Sequence, residues 1–147
     1  MTNNVGGTIG LRTKRRLVVF VNLDQPPTDL EWSAYLAAAR EAYGAYGPVC
    51  VLVVTEGGPP SAKQRKAAGE LSTAITFRTA LVTNSLVARA VVTGFGWLKL
   101  DIKAFAHAEM TKAFAFLQLS PTEREWAYGT VRQMQAELRA GQAKAAP

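Results

Sequence analysis

Runs of apolar, largely β-branched residues alternate with helix-forming segments along this chain, and this alternation constrains the fold more than any other feature. We predict strands over residues 15–23, Val49–Thr55 and 77–83, with a short fourth strand over 102–106. The first two runs are apolar at successive positions, as in strands that are covered on both faces. Strands separated by helices imply right-handed crossovers and a mainly parallel sheet. The sequence therefore predicts a small α/β domain with four to five strands and flanking helices.

Helix start signals follow the predicted strands. Three pairs of residues have the spacing of a capping box, in which two side chains bind each other's main-chain N–H groups: Thr28 and Glu31, Ser61 and Gln64, and Ser120 and Glu123. Asn84 or Ser85 is predicted to cap the helix after the third strand. The first helix has a predicted inner stripe made of Trp32, Leu36, Ala39, Tyr43 and Tyr46.

An amphipathic C-terminal helix is predicted after Ser120, with Pro121 at its first position. Its narrow apolar stripe consists of Ala127, Val131, Met134 and Leu138. This stripe either packs back on the sheet or docks on another chain, in which case the helix would form a homo-oligomer. We divide the chain into four segments: an N-terminal arm or edge strand (1–14), the α/β domain (15–119), the C-terminal helix (120–140) and a flexible tail (141–147).

The composition excludes several classes of protein. Of the 147 residues only Cys50 is a cysteine, so the chain forms no internal disulfide and no cysteine-based metal site. No apolar run reaches the roughly 18–20 residues of a membrane span, and the N-terminal segment has no apolar core ahead of its charges. We therefore predict a cytoplasmic protein without a membrane span. The net charge of +6 includes basic clusters at 12–16 and 63–66, but no aromatic residues interleave with them, which argues against a nucleic-acid partner.

The carboxyl ends of parallel strands collect at one edge of a sheet, and ligands tend to bind there, in the crevice where the strand order reverses. This edge is predicted to hold residues 24–25, 56–61, 83–85 and His107. The loop at 56–61 contains two glycines, as phosphate-binding loops do. Two prolines follow them, however, and proline has no N–H to offer a phosphate. No nucleotide-phosphate loop is therefore predicted.

Ser61 stands at a helix N-terminus, with Lys63, Arg65 and Lys66 in the residues that follow. Free N–H groups, the helix dipole and these cations suit an anion, or a phosphoryl group attached to Ser61 itself. The alternative is that Ser61 is a cap and that the basic side chains are solvated.

Arg89 lies near the start of its helix, where a cation opposes the helix dipole. It either pairs with an acidic residue across the edge, Glu56 or Asp24, or remains available to an anionic partner.

Ser61 or Ser85, His107 and Asp24 supply the residue types of a hydrolytic triad. No Gly-x-Ser-x-Gly elbow accompanies them, and the single histidine starts a helix, where capping explains it. A lone histidine without carboxylates at matching spacing offers no metal site. We predict no catalytic residues, no metal and no cofactor.

The stretch "RTALVTNSLVARAVVTGFGWLKLDIKAFAHAEMTKAFAFLQL" and the order of elements before it resemble STAS-like domains, which are related to bacterial anti-sigma-factor antagonists. The late part of those domains has a strand followed by a helix, then a short strand near "Ala-Phe", then an acidic residue ahead of an apolar helix. Residues 78–83, 102–106 and 109–117 match that pattern, and the resemblance covers about residues 17–119.

The resemblance implies a non-enzymatic regulatory module in signalling that binds a partner protein. In that family the switch is a phosphorylated Ser or Thr at the helix start after a central strand, in an Asp-Ser-Ser/Thr-Gly motif. Ser61 holds a comparable position, although the sequence there is "PPSAKQ". The candidate partner-binding or regulatory residues are Ser61, Lys63, Arg65, Asn84, Ser85 and Arg89. The alternative is a binding domain for a small anionic or apolar ligand, near Phe95, Trp97 and the helix N-termini.

Overall fold

The computed structural model describes the main chain of residues 2–3, 7–96 and 100–145 and the side chains of 7–90, 92 and 100–144. Six strands in these ranges form one sheet, in which they lie in chain order: β1 (Thr2–Asn3), β2 (Ile9–Lys14), β3 (Leu17–Asn22), β4 (Val49–Thr55), β5 (Phe77–Val82) and β6 (Asp101–Phe105). β1, β2 and β3 are antiparallel, whereas β3 to β6 are parallel. The predicted small α/β domain with a mainly parallel sheet is confirmed.

A tight hairpin joins β2 to β3 and shortens the first predicted strand. Lys14 pairs with Leu17, and the turn between them places Arg15 in the left-handed region with φ 53°. This backbone conformation is uncommon for a residue with a side chain. The segment predicted as an arm or an edge strand thus contains β2, which is antiparallel to β3.

Within the described residues, five α-helices connect or follow the strands: α1 (Asp29–Tyr46), α2 (Ala62–Leu71), α3 (Leu86–Gly96), α4 (Met110–Phe116) and α5 (Pro121–Ala145). A short 3-10 turn, His107–Glu109, precedes α4. All three predicted capping boxes are present, at the starts of α1, α2 and α5. Ser85, rather than Asn84, caps α3, because its Oγ accepts the N–H of Ala88 at 3.2 Å.

The predicted inner stripe of α1 is partly wrong. Trp32 and Ala39 are buried, but Tyr46 is exposed at the end of the helix. Tyr35 and Ala42 are buried instead. Alanine-rich turns leave the apolar side of this helix poorly marked in the sequence, and the packing of its aromatic residues against the sheet selects the buried side.

The sheet has two covered faces, each with its own apolar core. On the first face, α1 and α2 pack over side chains that include Val18, Phe20, Val51 and Phe77. On the second face, α4 and α5 pack over the alternate positions of the same strands. Because every right-handed crossover between β3 and β6 steps in the same direction, the connecting helices share the first face. In the described sheet the strand order never reverses, so its carboxyl edge has no crevice of the kind that a reversal creates.

α5 packs back on the second face along the predicted stripe. Ala127, Val131 and Met134 are buried there, and Arg12 of β2, which is 8% exposed, forms an ion pair with Glu137 at 3.0 Å. The stripe is therefore used within the chain, and the homo-oligomer through this helix stays a prediction. None of the helices in the described ranges is long and apolar enough to cross a membrane.

Candidate functional site

The loops at the carboxyl edge are tied together through Asn22, the last residue of β3. Its side-chain amide donates one hydrogen bond to the main-chain oxygen of Gln25 (3.0 Å) and another to that of Gly58 (2.8 Å). Asn22 is buried, and both amide protons find acceptors, as buried polar groups generally do. The loop after β3 is therefore fixed against the loop after β4.

The two glycines of the loop after β4 serve this contact between loops. Gly57 has φ 140°, a region that favours glycine, and a β-carbon added to Gly58 would collide with the main chain of Gln25. The N–H of Gly57 donates to the Thr55 hydroxyl at 3.1 Å, and that of Gly58 donates to the main-chain oxygen of Leu23 at 3.2 Å. Both N–H groups are thus used inside the protein.

Ser61 is exposed and caps α2. Its Oγ accepts the N–H of Gln64 at 3.1 Å, and the Oε1 of Gln64 accepts the N–H of Ser61 at 3.0 Å. The side-chain amide of Gln64 also donates to the main-chain oxygen of Pro27 (3.0 Å) and to Oδ1 of Asp29 (3.1 Å). In the structure Ser61 therefore acts as the cap of α2, and it lies at the surface.

Lys63 and Arg65 both have partners near Ser61. Lys63 lies 3.4 Å from a carboxylate oxygen of Asp29, and both side chains are exposed, so this ion pair adds little stability. Hydrogen bonds from Gln64 and then from Lys63 hold the pKa of Asp29 below its usual value. Arg65 donates to the main-chain oxygen of Pro60 at 3.0 Å.

Asn84 and Ser85 are brought together in the loop after β5, where each has a structural role. Oδ1 of Asn84 accepts the main-chain N–H of His107 at 3.1 Å, which joins this loop to the turn after β6. Ser85 donates its own N–H to the Thr83 hydroxyl at 3.0 Å and caps α3. These two predicted site residues shape the edge of the sheet.

Of the two alternatives for Arg89, the ion pair with Glu56 or Asp24 is wrong. The guanidinium of Arg89 folds back on the main-chain oxygen of Thr83, at 3.4 Å from both Nε and Nη2. The two acidic residues meet α5 instead: Glu56 pairs with Arg139, and Asp24 accepts a hydrogen bond from a glutamine on the same helix. α5 reaches them because it extends across the second face to the carboxyl edge.

The serine, histidine and aspartate that could supply a hydrolytic triad do not form one in the described part of the chain. Ser61 and Ser85 both use their hydroxyl oxygens as helix caps. His107 has a solvent-inaccessible Nε2 without a hydrogen-bond partner among the residues described. In the same ranges, no group of three or more His, Cys, Asp or Glu residues is placed to hold a metal ion.

An apolar cavity of about 60 Å³ lies on the first face, between the sheet and its helices. We call it the first-face cavity. Its described lining comes from strands β3 to β6, from α1, α2 and α3, and from the loops at the carboxyl edge. The aromatic side chains in this lining are Phe20, Trp32, Tyr35 and Phe77.

The polar side chains that line the first-face cavity are already bonded to other protein groups. Asn22 bridges the two loops described above, and the indole N–H of Trp32 donates to the main-chain oxygen of Gln64 at 2.8 Å. Tyr35 is hydrogen-bonded to Thr79, and burial raises the pKa of its phenol. Because a buried water needs two to four polar partners, these walls offer little to water and suit an apolar occupant.

The start of α3 presents apolar side chains to solvent. Leu86 and Val87 are 81% and 63% exposed, whereas Ala88 is buried and lines the first-face cavity. Two adjacent large apolar side chains at a helix start are thus presented to solvent beside the cavity. Phe95 and Trp97, the predicted ligand neighbours, lie outside the residues whose side chains the structure describes.

Comparison with known proteins finds no match for this chain among family models, curated proteins or solved structures. The resemblance to STAS-like domains therefore stays a prediction.

Proposed function

We propose that this protein is a non-enzymatic binding domain that takes a small apolar molecule into the first-face cavity. The observation that carries this proposal is the chemistry of the cavity walls. They combine four aromatic rings with aliphatic side chains, and their polar groups are hydrogen-bonded elsewhere. Ligand sites in proteins are commonly concave and apolar in this way.

The size of the first-face cavity limits the ligand. A water molecule needs roughly 10–15 Å³ of such volume, so about 60 Å³ accommodates a compact molecule of a few heavy atoms. A larger ligand would have to displace part of the lining. An apolar cavity of this kind binds apolar guests because removing their surface from water is favourable and the polar groups of the described wall are already paired.

The first test uses xenon as a probe and two variants in which an alanine of α3 is replaced by leucine. Ala88→Leu directs a larger side chain at the cavity, whereas Ala90→Leu adds the same group at an exposed position of the same helix. Xenon should shift the methyl NMR signals of Val53, Leu81 and Ile102 in the wild-type protein and in the Ala90→Leu variant. These shifts should disappear in Ala88→Leu, whose fold is checked by circular dichroism.

The second test concerns the natural ligand. The wild-type protein and the two leucine variants are isolated gently from the cells that produce them. Each is then extracted, and the extract is analysed for small molecules by mass spectrometry. A compound that accompanies the wild type and Ala90→Leu, but not Ala88→Leu, would support the proposal. The same compounds in all three extracts, or none in any of them, would count against it.

A regulatory protein-interaction module is the second candidate, in keeping with the resemblance of residues 17–119 to STAS-like domains. Two observations favour it: the exposed position of Ser61 at a helix start with two basic neighbours, and the exposed apolar pair Leu86 and Val87. Phosphoserine at Ser61 would add negative charge where the helix dipole and the basic side chains favour it.

Variants at Ser61 separate capping from phosphorylation. Asparagine is a good cap that cannot be phosphorylated, so Ser61→Asn should keep the stability and lose the switch. A photo-crosslinking residue at position 87 should then capture a protein in a manner that depends on Ser61, whereas the same residue at Tyr46, exposed at the opposite edge, should not. Equal capture at both positions would contradict this candidate.

A further inference from the structure

A second hollow lies on the opposite face of the sheet from the first-face cavity. It is an open cleft of about 270 Å³ between the end of β4, the turn before α4, and α5. Its apolar wall is formed by Val54, Met110 and Val131. We call it the second-face cleft.

Polar side chains from two elements complete the second-face cleft: His107 from the turn before α4, and Tyr128, Arg132 and Gln135 from α5. Arg132 stacks over the ring of Tyr128, 5.6 Å from its centre, and its Nη1 lies 3.5 Å from the tyrosine oxygen. The spacing of Tyr128, Arg132 and Gln135 along α5 places them on one side of the helix.

His107 provides an independent indication that the second-face cleft has an occupant. Its Nε2 is inaccessible to solvent and has no hydrogen-bond partner within the described chain. A buried polar atom without a partner is costly, and native proteins satisfy nearly all such atoms with protein groups, water or ligands. If the imidazole turned toward the cleft, a ligand there could bring an acceptor to the Nε2–H tautomer and remove this cost.

The charge of the second-face cleft indicates the class of ligand. Arg132 is charged, and no carboxylate occurs among the described residues that line the cleft. Arginine is suited to carboxylates because its planar N–H groups match two oxygen atoms. The apolar wall opposite is suited to a short hydrocarbon part.

We propose that the second-face cleft binds a small organic carboxylate. The carboxylate pairs with Arg132 and accepts a hydrogen bond from Nε2 of His107, whose imidazole turns toward the cleft on binding, while its aliphatic part packs on Val54, Met110 and Val131. This site is separate from the first-face cavity, so either can exist without the other.

The test is an NMR titration with hexanoate, and with hexanol as the uncharged probe of the same chain length. Hexanoate should shift the signals of His107, Met110 and Tyr128 saturably, and hexanol should bind much more weakly. In Arg132→Gln, hexanoate affinity should fall at least about tenfold, as expected for a lost hydrogen bond to a charged group. Arg40→Gln removes the same charge from the exposed side of α1 and should leave the affinity unchanged.

A pair of variants at His107 tests its part in binding. His107→Gln keeps a side-chain N–H and should retain more affinity than His107→Ala, provided that both keep the wild-type spectrum elsewhere. If both variants perturb the fold, the Arg132→Gln and Arg40→Gln comparison decides alone. The proposal is overturned if wild-type protein shows no saturable shifts, if hexanol binds as tightly as hexanoate, or if the two arginine variants weaken binding equally.

Discussion

Trp32 donates its indole N–H to the main-chain oxygen of Gln64 across 2.8 Å, and this bond joins α1 to α2 at the wall of the first-face cavity. Trp32 also packs edge-on against Phe20 and Tyr35, with ring centres 6.0 Å and 5.0 Å away. It therefore connects two helices and the sheet through one side chain.

Trp32→Phe should lower the free energy of unfolding by about 2 kcal/mol, because a buried carbonyl loses its donor and the smaller ring leaves unfilled space. Urea denaturation measures the loss. Trp126→Phe is the control, since Trp126 is half-buried on α5 with Lys14 5.8 Å from its ring, and it should cost less than about 1 kcal/mol. Equal losses in the two variants would contradict the role of the indole bond.

Gly58→Ala should destabilise the protein by more than about 2 kcal/mol, since the added methyl group meets the main chain of Gln25 and one of the loops must move. Gly44→Ala is the matched change: Gly44 lies in α1 with open space around it, and alanine should stabilise the helix by about 0.5–1 kcal/mol. Thermal unfolding of both variants gives the comparison. A neutral Gly58→Ala would show that the two loops are less tightly packed than the structure indicates.

Gly10→Ala should cost about 1–3 kcal/mol through overpacking, because a β-carbon at Gly10 would stand 2.7 Å from the sulfur and 3.0 Å from the β-carbon of Met134. Met134→Ala should cost about 2–5 kcal/mol by leaving a cavity. The double variant should be more stable than the sum of the two losses predicts, because the alanine methyl group enters the space that the methionine leaves. Simple additivity in chemical denaturation would argue against direct packing of α5 on β2.

The ionisation of Glu31 should make the stability of the protein depend on pH. Burial alone would raise its pKa, but hydrogen bonds from Thr28 and Thr8 outweigh burial and hold the pKa below its usual value of 4.5. A carboxyl group whose pKa is lowered by folding stabilises the protein above its usual pKa, and this contribution is lost as the pH falls through the folded-state value. Stability should therefore decline on acidification below pH 4.5.

Glu31→Gln should flatten this acid decline and cost about 1.5–3 kcal/mol at neutral pH, since an amide group would face the N–H groups of Thr8 and Ile9. Denaturation at a series of pH values measures both effects. Glu70→Gln, at an exposed position on α2, should leave the acid decline unchanged. A decline of the same steepness in Glu31→Gln would assign the pH dependence to other groups.

Short-range features of this fold could be predicted from the sequence. The capping boxes at Thr28, Ser61 and Ser120 involve residues three apart, so their chemistry is visible in a short window. β4 was predicted with its correct bounds because it is a continuous apolar run between clear breaks. These features need no knowledge of distant packing.

Long-range relationships were beyond the sequence patterns. The first-face cavity is lined by side chains from Phe20 to Ile102, and periodicity marks which residues point inward but not how much space they leave. The contact between Gly58 and Gln25 appeared in the sequence only as a turn signal. Similarly, nothing near Glu56 indicated that its partner would be Arg139, 83 residues further along. Such pairings depend on the path of α5 across the second face.

The order of the strands also bears on how the chain assembles during synthesis. From β3 to β6 each new strand pairs with the one made just before it, so the sheet can extend in step with translation and with little loop closure. Leu17, Val19, Leu52 and Val54 on the second face, however, receive their main cover from helices that follow β6. A nascent sheet would expose this apolar surface until α5 emerges from the ribosome. During that interval the second face would be the part of the molecule most in need of a chaperone.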